Sequence, residues 1–182
     1  MTSSRKIVIA WDIPDQENKV HVYNMPTLQG TDVNLFLDVE GFNDQDFCYL
    51  IGLIVDDGKT IKQFSFWADH HRENFIIATQ LLDIIKQYDN YTLYHYGSYE
   101  TKYLRFIARK LGSNYEEIVE QILQSSFNLL TVFYSNFYLP IYSNSLKEVG
   151  SYLEVELMKS RSNWLIRKGF LSAVRKECNL KI

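Results

Sequence analysis

Between residues 33 and 40 the chain alternates. Leu35, Leu37 and Val39 fall on one side of an extended backbone, and Phe36, Asp38 and Glu40 on the other, because successive side chains of a strand point to opposite faces. Residues 47–55 (FCYLIGLIV) form a near-continuous apolar run, followed by Asp56-Asp57-Gly58 and the β-rich stretch 60–67 (TIKQFSFW). Two such runs around an Asp-Gly turn predict a hairpin. With the strand before them they predict a three-stranded antiparallel meander.

Helical spacing runs from residue 72 to about 88, where Phe75, Ile76, Leu81, Leu82, Ile84 and Ile85 predict an apolar stripe. Residues 91–95 (YTLYH) predict another strand. Beyond Gly97, Ser98 is placed to cap a helix over 99–111 with Tyr103, Phe106 and Ile107 on one side. The predicted order is therefore β-β-β-α-β-α. Asn114 with Glu117, and Ser145 with Glu148, have capping-box spacing and predict two more helix starts. The apolar stretch 127–138 between them reads as partly helical. Near the N-terminus, residues 6–11 and 19–23 are short β-type runs around Ile13-Pro14-Asp15 and predict a small hairpin.

The length of 182 residues suits one domain, and 46% apolar with 23% charged residues is the composition of a folded chain. No apolar run reaches the 18 or so residues that a membrane span needs, and no signal-peptide core follows the N-terminus. A cytoplasmic location is the expectation. Cys48 and Cys178 lie far apart in dissimilar segments, so neither a disulfide framework nor a cysteine zinc site is expected. Net charge is −3, unevenly spread. Residues 159–182 hold seven Lys or Arg against one acid, Glu177, whereas residues 1–158 hold 12 basic and 21 acidic residues. The organisation expected is a hairpin or linker over 1–30, a domain over 31–158, and a basic amphipathic tail over 159–182.

Asp38 and Glu40 carry the chemistry. Two residues apart on a strand, they emerge on one face with Cα atoms about 6–7 Å apart, from a rise of roughly 3.3 Å per residue. Two neighbouring carboxylates on a strand flanked by Leu35, Leu37 and Val39 repel unless a cation neutralises them, and oxygen donors suit Mg²⁺ or Mn²⁺. A solvated edge strand would equally tolerate such a pair. Glu100 lies at the start of the predicted helix after the fourth strand, where it could join them. His95 and Tyr96 border this place, and Trp67 could stack on a base. Asp69, His70, His71 and Glu73 are also clustered, but adjacent helical histidines point about 100° apart and read as a polar helix start.

A meander whose first strand carries D-x-E, then a helix, then a strand parallel to the first with an acid just beyond, is a ribonuclease H-like layout. Residues 34–153 resemble the YprB-type ribonuclease H-like domain of RecB-family nucleases, within the DEDD 3′-5′ exonuclease superfamily. The likeness rests on five blocks in order: LFLDVEG at 35–41, YLIGLIV at 49–55, SFWAD at 65–69, YHYGSYE at 94–100 and YSNSLKEVGSYL at 142–153.

That resemblance implies an α/β fold with a mixed sheet, the meander plus a parallel strand, and flanking helices. It implies a 3′-5′ exonuclease acting on DNA or RNA. Asp38 and Glu40 would be the first-motif ligands of Mg²⁺ or Mn²⁺ and Glu100 the second-motif acid, with His95, Tyr96 and Trp67 near the substrate. A neighbouring nuclease or helicase domain is the expected partner. The family's fourth acid is an Asp four residues after a Tyr on a late helix, and here no Asp occurs after Asp89. Tyr152 and Glu156 share that spacing but abut the SLKE block, where the family has a loop. A partial domain with an incomplete C-terminal part is thus expected, either an active nuclease or a catalytically dead remnant that binds nucleic acid or protein.

Overall fold

The computed structural model describes residues 21–24, 31–42 and 46–152. The run 6–11, the basic tail, Glu156 and Cys178 lie outside the described residues. The elements are β1 (His21–Val22), β2 (Val33–Phe42), β3 (Phe47–Asp56), β4 (Ile61–Trp67), α1 (Glu73–Ile85), β5 (Tyr91–His95), α2 (Tyr99–Leu111), α3 (Ser113–Gln124), β6 (Ser126–Asn128), α4 (Leu129–Asn136), β7 (Phe137–Tyr138) and α5 (Leu146–Tyr152).

Five strands form one mixed sheet in the order β4-β3-β2-β5-β6. β2–β3 and β3–β4 are antiparallel, the meander expected from the alternation and the Asp-Gly turn. β5 runs parallel to β2 and β6 parallel to β5. The turn between β3 and β4 is held by Asp57, whose Oδ1 accepts from the backbone N–H groups of Lys59 and Thr60 at 2.9 and 2.6 Å.

Both faces of the sheet are covered, which is why β3 reads as nearly all apolar rather than alternating. Leu35, Leu37, Ile51, Leu53, Val55 and Leu93 pack on one face with α1, α2 and α3. Phe36, Ile54 and Tyr94 pack on the other with Leu129 and Phe133 of α4, Phe137 of β7 and Val149 of α5. Buried side chains of α1 are Asn74, Ile77, Ala78, Leu81, Leu82 and Ile85, a single stripe at helical spacing. Ile76, expected on that stripe, is 55% exposed.

Two local expectations are corrected. The Ser98 side chain makes no cap hydrogen bond at α2; instead Lys102 N–H reaches the Ser98 carbonyl at 3.2 Å. α3 starts at Ser113 behind Gly112, whose φ of +108° only glycine adopts readily, so Asn114 lies inside the first turn and caps nothing. β1, the described part of the run 19–23, pairs antiparallel with the distant β7, while the other run of the expected hairpin lies outside the described residues. At α5 the Ser145 hydroxyl does accept from Glu148 N–H at 3.3 Å, whereas the Glu148 carboxylate accepts from Ser143 rather than Ser145.

Candidate functional site

β2 lies at the centre of the sheet and its register places both of its acids. Asp38 stands opposite Gly52 and Glu40 opposite Leu50, while Gly52 and Leu50 pair in turn with Ser65 and Trp67. Cross-strand partners share a face, so two rows cross the sheet near one end: Asp38-Gly52-Ser65 and Glu40-Leu50-Trp67. Gly52 puts no side chain beside Asp38. At strand spacings near 4.8 Å, Trp67 stands about 10 Å from Glu40, and its side chain is 54% exposed.

Immediately past Glu40 the ladder slips: Glu40 pairs with Leu50 but Gly41 with Cys48. Tyr49 is the extra residue of a β-bulge, a device that bends a strand and re-aims its side chains. Gly41 is needed there. A Cβ on it would collide with the Tyr99 hydroxyl, the Phe47 carbonyl and Cys48 Cα.

From the other side come β5 and α2. The parallel β2–β5 register runs to Phe36 opposite Tyr94, whose rings stack at 5.3 Å. β5 therefore ends beside the acid-bearing part of β2, and Gly97 with φ +95° turns the chain into α2. Asn128 fastens that turn, its Oδ1 accepting from Gly97 N–H and Leu130 N–H, each at 3.0 Å. Glu100 follows in the first turn of α2. The parallel strands thus point their carboxyl ends at this region, the usual place for ligands in open α/β sheets.

Asp38 and Glu100 are buried, 7% and 3% exposed, and Glu40 is half-buried. His95 is buried too. Its Nδ1 lies 2.8 Å from the Gly97 carbonyl oxygen, which can only accept, so Nδ1 carries the proton. The same Nδ1 is 4.0 Å from Glu100 Oε2, close to that carboxylate but beyond hydrogen-bond distance. The Tyr96 hydroxyl donates to the Asn144 carbonyl at 2.6 Å, joining the site to the segment before α5.

Two residues beside the acids carry no role in the sequence reading. Burial first, then the charges of Cys48 and Glu40, and more weakly those of Tyr49 and Glu100, push the Tyr99 phenol up to about 12. Tyr49 is raised as well, by burial and then by Glu40, Cys48 and Asp38. Glu40 and Glu100 therefore act on one phenol, and Asp38 and Glu40 on another. Both tyrosines stand inside the quoted blocks, YLIGLIV and YHYGSYE, but nothing in their spacing distinguishes them from core aromatics.

The donors present suit a hard divalent cation in kind, since carboxylate oxygen is what Mg²⁺ and Mn²⁺ take. Their arrangement is not a closed site. Among the described residues no group of three or more His, Cys, Asp or Glu side chains is gathered tightly enough to hold a metal ion. The Asp69–Glu73 cluster serves structure: Glu73 Oε2 accepts from the Asp69 and His70 N–H groups at 2.7 and 3.3 Å, and His71 packs 4.6 Å from the Phe47 ring.

A five-stranded mixed sheet with helices on both faces is an α/β arrangement consistent with an RNase H-like fold. A family model of the RNase H superfamily matches residues 35–163, and the chain belongs to that superfamily. No curated protein and no solved structure matches it significantly. Among the described residues no helix is long and apolar enough to cross a membrane.

Proposed function

We propose that this chain is a divalent-cation-dependent nuclease domain of 3′-5′ exonuclease type, of the YprB-like branch, hydrolysing phosphodiester bonds in DNA or RNA. Asp38, Glu40 and Glu100 are its cation-holding residues, and Mg²⁺ or Mn²⁺ its cation. The observation that carries this reading is the burial of Asp38 and Glu100 at the carboxyl end of the parallel β2–β5 pair, inside the span matched by the superfamily.

When bound, such a cation polarises phosphoryl oxygens and lowers the pKa of a water at the attacking position. The chain's own residues do the rest. Asp38 lies on the central strand between the buried Leu37 and Val39; Glu40, half-buried, keeps one side toward solvent and substrate. Glu100 reaches in from a helix start, with the His95 imidazole beside it, Nδ1 4.0 Å from its Oε2. Tyr96 closes the border toward residue 144. Trp67 offers an exposed ring on which a base can stack. A cytoplasmic setting beside a second nuclease or a helicase domain belongs to the same reading.

The test is release of nucleotides from an end-labelled single-stranded oligonucleotide with Mg²⁺ or Mn²⁺. Asp38→Ala is expected to lower the rate by about a hundredfold or more, since it deletes a charged group at the reacting centre. Activity unchanged by that substitution removes the reading.

A second reading has a specific observation in its favour: the described carboxylates do not close a metal site by themselves. On that reading the domain is a catalytically dead module that binds nucleic acid or protein. Mn²⁺ titration separates the two, because tight binding at two sites, lost in Asp38→Ala, contradicts a dead module.

A further inference from the structure

A cavity of about 360 Å³ opens beside the bulge that follows Glu40. α2 lines it together with Phe42, at the end of β2. On α2 the lining residues include Tyr99, Lys102, Phe106 and Arg109. Their spacings of three, four and three residues place them in one row along a helix. Aromatic and cationic side chains alternate along that row. At 1.5 Å per residue it extends about 15 Å, the length of two to three nucleotides of an extended strand.

The row has a direction. Its first member, Tyr99, lies against Gly41 and next to Glu100, so it starts at the acids and leads away from them. Lys102 and Arg109 are exposed, and Phe42 is 51% exposed, with its ring 5.4 Å from that of Tyr49. Arg109 donates through Nε to the Arg105 carbonyl at 3.2 Å, and it also borders a neighbouring cleft lined by Glu116 and Glu120. Asp46 also borders the cavity, so cations outnumber acids there by two to one among the described residues. The next basic residue of the helix differs: Arg105 is bidentate with Glu120 of α3, at 2.8 and 3.5 Å, and is committed to holding α2 on α3.

We propose that this row is the path of a single-stranded nucleic acid leading away from the acid site, with phosphates at Lys102 and Arg109 and unstacked bases against Phe106 and Phe42. The inference rests on the nuclease reading for its direction, not for its chemistry. Alternating cations and π faces are what a single strand needs: the cations follow the backbone regardless of sequence, and every base has a face to stack. A duplex keeps its bases stacked on one another and gains nothing from the aromatic members.

The experiment measures binding of the full chain to a fluorescein-labelled oligothymidylate by anisotropy in EDTA over a range of salt, beside the divalent-dependent cleavage assay. Lys102→Ala and Arg109→Ala are each expected to weaken binding and lower the slope of log K against log salt by about 0.7, the loss of one phosphate contact to a single strand. Phe106→Leu, which keeps apolar volume under the helix, is expected to weaken binding about fivefold or more at unchanged slope, the loss of one stacked base. If the wild-type chain binds and all three variants bind as it does, the path is overturned, while cleavage abolished by Asp38→Ala leaves the nuclease reading standing. Duplex bound as tightly as single strand, with the same response to Phe106→Leu, overturns it as well. A wild-type chain that neither binds nor cleaves overturns both.

Discussion

A methyl group on Gly41 would meet three atoms at once: the Tyr99 hydroxyl, the Phe47 carbonyl oxygen and Cys48 Cα. Two of these are backbone in the neighbouring strand, so the clash cannot be relieved by swinging one side chain away. Gly41→Ala is therefore expected to destabilise the domain by about 1–3 kcal/mol, the range for overpacking a filled site. Urea denaturation would show it as a lowered midpoint at unchanged m-value. Combining it with Tyr99→Phe should restore only part of the loss, because the strand backbone still stands in the way. Full rescue by Tyr99→Phe would mean that the hydroxyl alone sets the limit. The close approach serves the site: it brings the first turn of α2, and with it Glu100, against the end of the strand that carries Asp38 and Glu40.

Among the elements, the turn from β5 into α2 depends on a residue 31 positions further along the chain. Asn128 Oδ1 accepts from both Gly97 and Leu130 N–H groups, so one side chain caps α4 and anchors the loop that precedes Glu100. Asn128→Ala is expected to cost about 1–2 kcal/mol, the usual loss for an N-cap with a second bond added. Asn128→Asp keeps the acceptor and should recover most of it. Thermal melts of the three proteins would decide; equal melting temperatures for wild type and Asn128→Ala would show that Asn128 holds nothing.

That long reach also explains what could and could not be read from the sequence. β2 to β5 and both helices beside them follow from local alternation, the Asp-Gly turn and helical spacing, and their bounds agree closely with residues 33–111. β6 is three residues long and β7 two, too short for any period to register, and their partners are set by tertiary packing. Capping failed as a guide where glycine conformation took over, at Gly97 and Gly112. At the site, Asp38 and Glu40 stood out because charge on an otherwise apolar strand is conspicuous, and Glu100 through its place at the start of the helix after the fourth strand. Tyr49 and Tyr99 did not, because an aromatic beside a strand end looks like core until a bulge and a neighbouring helix bring it to the acids.

Taken as one molecule, the sheet, α1 and α2 meet at a buried polar knot. The Tyr103 hydroxyl of α2 donates to Asn74 Oδ1 of α1 at 2.7 Å, Asn74 Nδ2 donates to the Asp46 carbonyl at 3.2 Å, and Cys48 of β3 lies alongside, its thiol donating to the Leu50 carbonyl at 3.4 Å. Burial pushes the Cys48 thiol up to about 12 from its ordinary 9.0, and burial, then the nearby Cys48, pushes the Tyr103 phenol well above its ordinary 10.0. In the unfolded chain both groups lose their protons at ordinary values, so above about pH 9 the folded state holds protons that the unfolded state has released. Stability then falls as pH rises. The contribution is complete below pH 9 and is lost progressively from pH 9 to about 12. Urea midpoints taken at intervals from pH 7 to 11.5 should therefore be level at first and decline above about pH 9. Cys48→Ala, although less stable at neutral pH through its lost packing, should decline less steeply in that window because one linked proton is gone, while those of Tyr103 and of the likewise raised Tyr49, Tyr91 and Tyr99 remain. Midpoints that stay level to pH 11, or a variant that declines in parallel with the wild type, would mean that the knot is open to water and does not tie the three elements together.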